Sequence, residues 1–302
     1  MSKKFGLIGT VTHDFITSDS GQSFEGLGGV LYQAAVLCGL GKEVFLYSNL
    51  GEELIKDVER MTRDWTTLHK EGIRLVPGPG NQVYLHYPAR GERVEVLKSV
   101  VPPLYSSQVL KKINEFRMLI MIVNSGFDLE LSEWRKIVQA ASCPVWLDIH
   151  SLLLSRELNV RRKYLTLAER KDWVKRVSFV QANAKEVATM LGQPDKVLSE
   201  PDISRFARMA LRSGAKAVFV TLGKEGVLVV TREKSKKIKA TKTKKVVDTT
   251  GCGDVFCAAA AAKLAEGEDP FASASFGLEL ATQAVSVRGI EESYFLASKH
   301  RK

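Results

Sequence analysis

Short apolar runs alternate with amphipathic stretches almost from the first residue. Phe5 to Thr10 reads as a strand, Val30 to Leu40 as a helix and Val44 to Asn49 as the next strand. The rhythm resumes with Leu119 to Asn124, Val145 to Ile149, Phe179 to Ala182 and Ala217 to Thr221, each short, apolar and separated by helical patterns. Strands that are apolar on both faces belong in a sheet covered on both sides, so the pattern predicts a mostly parallel sheet in a three-layer α/β/α body. Two segments break the rhythm, at about 15–25 and 82–98, where Val83-Tyr-Leu-His-Tyr87 and Arg93-Val-Glu-Val-Leu97 alternate around Ala89-Arg-Gly91. They predict antiparallel strands projecting as a small β lid. Such a sheet must cover its apolar face, by closing over a ligand, meeting a partner chain, or both. No internal repeat, low-complexity tract or Pro-rich linker divides the sequence, so residues 1–302 are expected to form one domain with an excursion.

Composition narrows the class. A hydrophobic content of 45% and a charged content of 26% are those of a soluble globular protein. No run of eighteen apolar residues is free of charge, so no membrane span is expected. The apolar run after Lys3-Lys4 ends within a few residues, which argues against a signal peptide and for a cytoplasmic protein. Cys38, Cys143, Cys252 and Cys257 have neither CxxC pairing nor histidines at zinc spacing, so reduced thiols are expected. The net charge of +10 is concentrated: segment 231–245 holds eight Lys or Arg against one Glu, a net +7. That segment follows the strand-like Gly226 to Thr231 and lacks interleaved aromatics, which fits a solvated hairpin better than a nucleic-acid face.

The chemistry is densest at Asp248-Thr-Thr-Gly-Cys-Gly-Asp254. The β-branched Val246 and Val247 lead into two glycines within three residues, and an alanine-rich stretch then runs to a stop at Gly267, giving strand, turn and helix in succession. At such a helix start the unpaired N–H groups of Gly251, Cys252 and Gly253 converge where the helix dipole favours an anion. Asp254 falls in the first turn. A carboxylate there suits a general base that takes a proton from an attacking hydroxyl while the amides hold a transferring phosphoryl group. The plain alternative is a glycine turn with an Asp that complements the dipole.

This segment resembles the signature of the ribokinase or PfkB family of sugar and nucleoside kinases, commonly Asp-Thr-Thr-Gly-Ala-Gly-Asp, with only Cys252 departing from it. Cysteine is small and offers the same backbone N–H, although a helix N-terminus also lowers thiol pKa and leaves a redox role open. Other segments extend the resemblance in order. Gly9-Thr-Val-Thr-His-Asp14 matches a Gly-x-x-x-x-Asp pattern whose carboxylate binds substrate hydroxyls. Gly26-Leu-Gly-Gly29 matches the early Gly-Gly motif beneath the substrate, making Gly28 and Gly29 substrate contacts, and Gln33 stands where relatives usually carry Asn. A dinucleotide GxGxxG reading fails at Leu31. Asn183-Ala-Lys-Glu186 resembles the Asn-x-x-Glu motif that acts on magnesium and phosphates through water, although the spacing is also that of a capping box. Thr221-Leu-Gly-Lys-Glu-Gly226 resembles the nucleotide loop, giving Thr221, Gly223 and Gly226, with Thr250, as ATP-site candidates. Ala284 to Gly289 resembles a late segment that forms a monovalent-cation site with Asp248.

The resemblance implies a ribokinase-like fold, ATP with Mg²⁺, a K⁺ site at Asp248, a sugar or nucleoside acceptor and a homodimer through the lid strands. His150, in Asp148-Ile-His-Ser151, occupies a place where relatives show Asn, and the basic stretch Arg156 to Arg176 that follows reads as a solvated helix face or a contact for a phosphorylated substrate. The rival function is a non-catalytic ribokinase-like protein that binds a metabolite, suggested by Gln33 and His150. The intact Gly-Cys-Gly-Asp element argues against it.

Overall fold

The computed structural model describes residues 4–21, 23–91, 93–241, 243 and 246–301. Thirteen strands occur in chain order: β1 Lys4–Ile8, β2 Val11–Ser18, β3 Ser23–Gly29, β4 Glu43–Gly51, β5 Leu68–Val76, β6 Asn81–Tyr87, β7 Val94–Ser99, β8 Met118–Ile122, β9 Val145–Asp148, β10 Phe179–Asn183, β11 Ala217–Thr221, β12 Val227–Thr231 and β13 Ser235–Ile238. Nine of them form the main sheet, in the order β13-β12-β11-β10-β9-β8-β1-β4-β5. All its pairings are parallel except those of β12 with β11 and β13, a hairpin at one edge. The expected strands reappear within a few residues of their predicted limits, except that Val246 and Val247 form no strand: the chain enters the turn before α8 as an irregular segment. β5 was not legible, because Lys70, Glu71 and Arg74 interrupt its pattern where it lies at the sheet edge.

Ten α-helices accompany the strands: α1 Leu31–Gly39, α2 Ile55–Met61, α3 Ser106–Leu110, α4 Leu131–Ala140, α5 Arg170–Trp173, α6 Ala184–Met190, α7 Glu200–Arg212, α8 Cys252–Glu266, α9 Pro270–Ala284 and α10 Gly289–Ser298. One apolar cluster joins the sheet to α1, α8, α9 and α10, and a second joins its other face to α4, α6 and α7. The result is a three-layer α/β/α body. All nine residues of α1 are buried, as a helix apolar on every side requires. The Ala258 to Ala262 run gives α8 a thin profile between its neighbours, and Gly277 of α9 approaches the Phe256 carbonyl so closely that a Cβ there would sit 2.8 Å from it.

The second sheet, β3-β2-β6-β7, is the lid. Its strands begin earlier and pair differently from the reading of two antiparallel excursions: β2–β3 and β6–β7 are antiparallel, but the two hairpins meet through a parallel β2–β6 pairing. Sequence periodicity carries no information on that junction, because both pairings alternate with period two. The inner face is apolar where Val83, Leu85 and Leu97 pack together with Ile16, Tyr87 and Phe127. The basic stretch Arg156 to Arg176 is a helix only over α5, which corrects the expected helix face. Its first part lies along the lid edge instead: the Asn159 and Arg162 amides donate to the Leu97 and Glu95 carbonyls, and Arg161 bridges Val96. Within 231–245, β13 completes the hairpin with β12, while residues 242, 244 and 245 lie outside the described residues.

Phe219 of β11 ties the sheet to the helix that carries the Asp254 turn, stacking on Trp146 at 4.7 Å between centroids and meeting Phe256 of α8 edge-on at 6.0 Å. Phe219→Ala is expected to cost about 3–5 kcal/mol, read as a lower midpoint in urea at an unchanged slope.

Candidate active site

The carboxyl ends of the central strands supply one wall. Asp148 ends β9, Asn183 ends β10 and Thr221 ends β11. Gln181 is in register with Asp148, and Asn183 with Thr221. An open α/β sheet places ligands at this edge. The N-terminus of α8 points into the same region. Gln181 Nε2 donates to both Asp148 Oδ2 (3.0 Å) and the Gly253 carbonyl (3.0 Å), fixing the turn onto the strand ends. A glutamine inside an otherwise apolar buried strand was the signal for this tie, and the sequence reading passed over it.

Gly251 is the N-cap of α8 in the left-handed conformation, φ 75°. A Cβ on it would lie 2.5 Å from the Tyr32 ring, so both conformation and contact require glycine. Before it, the Thr250 amide donates to Asp248 Oδ1 at 2.8 Å, and the Val247 and Asp248 amides donate to the Val285 carbonyl. Among the described residues no acceptor takes the Gly251 or Gly253 amide, whereas the Cys252 amide leans on the Thr249 carbonyl at 3.4 Å. Cys252 therefore drops out of the expected trio of donors. Burial and then the nearby Asp248 and Asp254 carboxylates push the pKa of its thiol up to about 12, the reverse of the lowering expected at a helix N-terminus.

Asp254 is 7% exposed, and its Oδ1 has no hydrogen-bond partner among the described residues. Burial is the main reason its pKa rises to about 7; its own backbone N–H opposes the rise, Asp14 adds to it, and Arg93 offsets part of it. Asp14, on β2 of the lid, is raised to about 6 by burial, opposed by a hydrogen bond from Thr12. Gly28 of β3 is in register with Thr12, and a Cβ on it would come within 1.9 Å of Asp14 Oδ2, so this glycine makes room for the carboxylate. Gly29, at φ 63°, turns the chain into α1 against the Thr10 carbonyl. Gln33 is fully buried on α1, and neither its Oε1 nor its Nε2 has a partner among the described residues. Two unmatched polar atoms in the interior cost several kcal/mol by order of magnitude unless something bonds them. Tyr32 was missed in the sequence. It is 4% exposed, and its pKa is held well above the ordinary value by burial and then by Asp14, Asp248 and Asp254.

The capping-box reading of Asn183 and Glu186 holds. Asn183 Oδ1 accepts from the Glu186 amide at 2.9 Å, and Glu186 Oε2 accepts from the Asn183 amide at 2.8 Å, a complete capping box on α6. Glu186 is nevertheless buried, its pKa raised to about 8 by burial with a contribution from Asp254, while burial, Glu186 and Asp254 hold Asp148 well above the usual range. Asn183, Thr221 and Gly223 line a cleft of about 1210 Å³ together with Arg93, Lys185 and Lys237, ample for a nucleotide. A Cβ on Gly223 would meet open space. Gly226 differs: a Cβ there would lie 2.0 Å from the Ile238 carbonyl, so the hairpin turn itself requires glycine at this position. Thr250 is occupied as well, its Oγ1 bonded to Tyr87 Oη of the lid at 2.9 Å. His150 sits strained at φ 38°, bonded to Ser151 Oγ at 2.9 Å, with burial and then Arg93 lowering its pKa to about 4, so its imidazole is neutral at physiological pH.

Among the described residues no group of three or more His, Cys, Asp or Glu is arranged to ligate a metal directly, and no helix is long and apolar enough to cross a membrane.

Comparison with known proteins agrees with this architecture. The model of the pfkB family carbohydrate kinases matches residues 152–294. A ribokinase of Staphylococcus aureus is 34% identical over 118 residues, 39% of this chain and 38% of that protein. A ribokinase of Arabidopsis thaliana is 31% identical over 114 residues, 37% of this chain and 30% of that one, so the chain aligns with well under half the length of these curated relatives. The fold match is nearly complete: the structure of Arabidopsis thaliana ribokinase complexed with ribose and ATP superposes with TM-score 0.79 at 19% identity, covering 99% of both chains. A Burkholderia thailandensis nucleoside kinase in complex with inosine gives 0.74 at 16% identity, covering 96% of this chain and 93% of that one. With its three layers, its four-stranded lid and its glycine turn at the head of α8, the chain has the ribokinase-like fold, and its residues 152–294 are similar to the pfkB family of carbohydrate kinases.

Proposed function

We propose that the chain is an ATP-dependent kinase that transfers the γ-phosphoryl group to a hydroxyl of a sugar, sugar derivative or nucleoside in the cytoplasm. The observation that carries this reading is the unpartnered, buried Asp254 carboxyl group beside the unengaged Gly251 and Gly253 amides. Asp14 and Gln33 would orient the acceptor. Asp254, poised near neutrality, would take the proton of the attacking hydroxyl while the two amides bind the oxygens of the phosphoryl group. The donor would lie in the cleft lined by Asn183, Thr221 and Gly223. The raised pKa values of Asp148, Glu186 and Asp254 fit a cation entering with the nucleotide, because a positive charge among three mutually repelling carboxyl groups relieves their burial. Glu186 is already engaged by Asn183, so Mg²⁺ would be held through its water shell and would neutralise the phosphate oxygens. A monovalent cation at the Asp248 loop and a homodimer across the outer lid face, where Phe15 stacks on Tyr84 at 4.5 Å, complete the proposal.

A screen of ADP release against sugars, nucleosides and their monophosphates tests the activity. Turnover of at least one acceptor is expected, and ligand binding without turnover would favour the metabolite-binding alternative. With that acceptor, Asp254→Asn is expected to lower turnover by roughly 10² to 10⁴ fold with ATP binding retained. The parent's kcat/KM should fall below pH about 7, as the base takes up a proton.

The same variant has an opposite effect on stability. The folded-state pKa of Asp254 lies above its ordinary 3.8, so the native protein holds the proton to higher pH than the unfolded chain does. Its contribution therefore erodes as pH rises from about 4 to about 7. Asp254→Asn should gain about 1–3 kcal/mol over the parent at pH 8 and little at pH 4, measured by urea denaturation at the two pH values.

A further inference from the structure

The lid carries a cation that neither the anion turn nor the acceptor contacts account for. Arg93 immediately precedes β7 and lines the nucleotide cleft with Asn183, Thr221 and Gly223. Its Nη2 donates to Glu95 Oε2 at 3.2 Å, and it is also hydrogen-bonded to Tyr87. Tyr87 in turn bonds Thr250, the residue before Gly251, so the guanidinium is tied to the anion turn through one side chain. Glu95 is itself fixed from behind. Its Oε1 accepts from Nη1 of Arg162 at 2.8 Å, and the Arg162 side chain is 0% exposed, with Nε given to the Ser155 carbonyl at 2.9 Å and Nη2 to the Ser125 carbonyl at 2.7 Å.

Two guanidinium groups thus share one carboxylate. Each nitrogen of the buried one has a protein acceptor; the other, with its side chain 37% exposed, lines the cleft. A buried ion pair contributes little to stability for its own sake, but it holds a geometry firmly. The positive charge of Arg93 lowers the pKa values of Asp14, Asp254 and Glu186, opposing the rise that their burial causes.

We infer that Arg93 is a catalytic residue that binds the phosphoryl group in flight, and that the Arg162–Glu95 pair is the positioning device that aims it. The inference rests on the kinase reading. In the step, the acceptor oxygen forms a bond to the γ-phosphorus as the bond to the ADP oxygen breaks. ADP leaves with that electron pair, and the hydroxyl proton passes to Asp254. Arg93 changes no bond and donates hydrogen bonds to the equatorial oxygens, whose charge is most exposed midway.

The test uses the full chain, an acceptor found by ADP release, and the variants Arg93→Ala and Arg93→Lys. Arg93→Ala is expected to lower kcat by about 10² to 10³ fold with the acceptor KM within about threefold, and Arg93→Lys to fall between it and the parent. Added guanidinium ion should restore part of the Arg93→Ala rate. In binding measurements, ADP with aluminium fluoride should bind the parent more tightly than ADP alone, and Arg93→Ala should lose that gain while binding ADP normally. Parental kcat in Arg93→Ala, or an undiminished aluminium fluoride gain, would overturn the inference. So would a raised acceptor KM at unchanged kcat, which would make Arg93 a contact for an anionic acceptor. A parent chain that turns over no acceptor and shows no aluminium fluoride gain refutes the kinase reading itself, and the role of Arg93 with it.

Discussion

Everything at this site follows from one backbone conformation, Gly251 at φ 75° above the Tyr32 ring. A left-handed residue at that point lets the chain arrive from the Asp248 loop and start α8 at once, which leaves the Gly251 and Gly253 amides without carbonyl partners among the described residues. The same abrupt start carries Asp254 inward, where burial raises its affinity for a proton. An anion-seeking group and a proton-seeking group are therefore products of a single turn. Gln181 and Val285 then anchor that turn to the sheet and to the segment after α9.

The body supplies stiffness and the lid supplies enclosure. The alanine-lined α8 lies in the main core with its N-terminus at the strand ends, so the turn rests on packed secondary structure rather than on a free loop. The lid brings Asp14 from β2, Arg93 from the start of β7 and Tyr87 from β6, and the Tyr87 to Thr250 bond connects it to the turn. Carboxyl groups from both parts lie in one poorly solvated space, which is why Asp14, Asp254 and Glu186 all hold their protons more tightly than exposed carboxyl groups do.

The parts that were legible in the sequence are those with a local signature. Buried parallel strands show as short apolar runs, and the turn at residues 248–254 shows through its two glycines and the helix pattern behind them. Long-range pairings leave no such trace. The parallel β2–β6 junction, the docking of residues 159–162 on the lid edge and the Arg162–Glu95–Arg93 chain depend on residues far apart in sequence. Arg93 and Glu95 looked like ordinary members of an alternating strand, and Arg162 like one more charge in a basic run. Cys252 misled for the opposite reason: it fits a local motif, yet its amide turns to Thr249.

The most direct measurement is the amide spectrum of protein labelled with ¹⁵N-glycine, followed as a non-hydrolysable ATP analogue with Mg²⁺ is added. If the turn binds phosphate, the Gly251 and Gly253 amide protons should move downfield together as they gain an acceptor. If Gly223 in the nucleotide cleft responds while Gly251 and Gly253 stay still, the turn is not a phosphate site and the account fails.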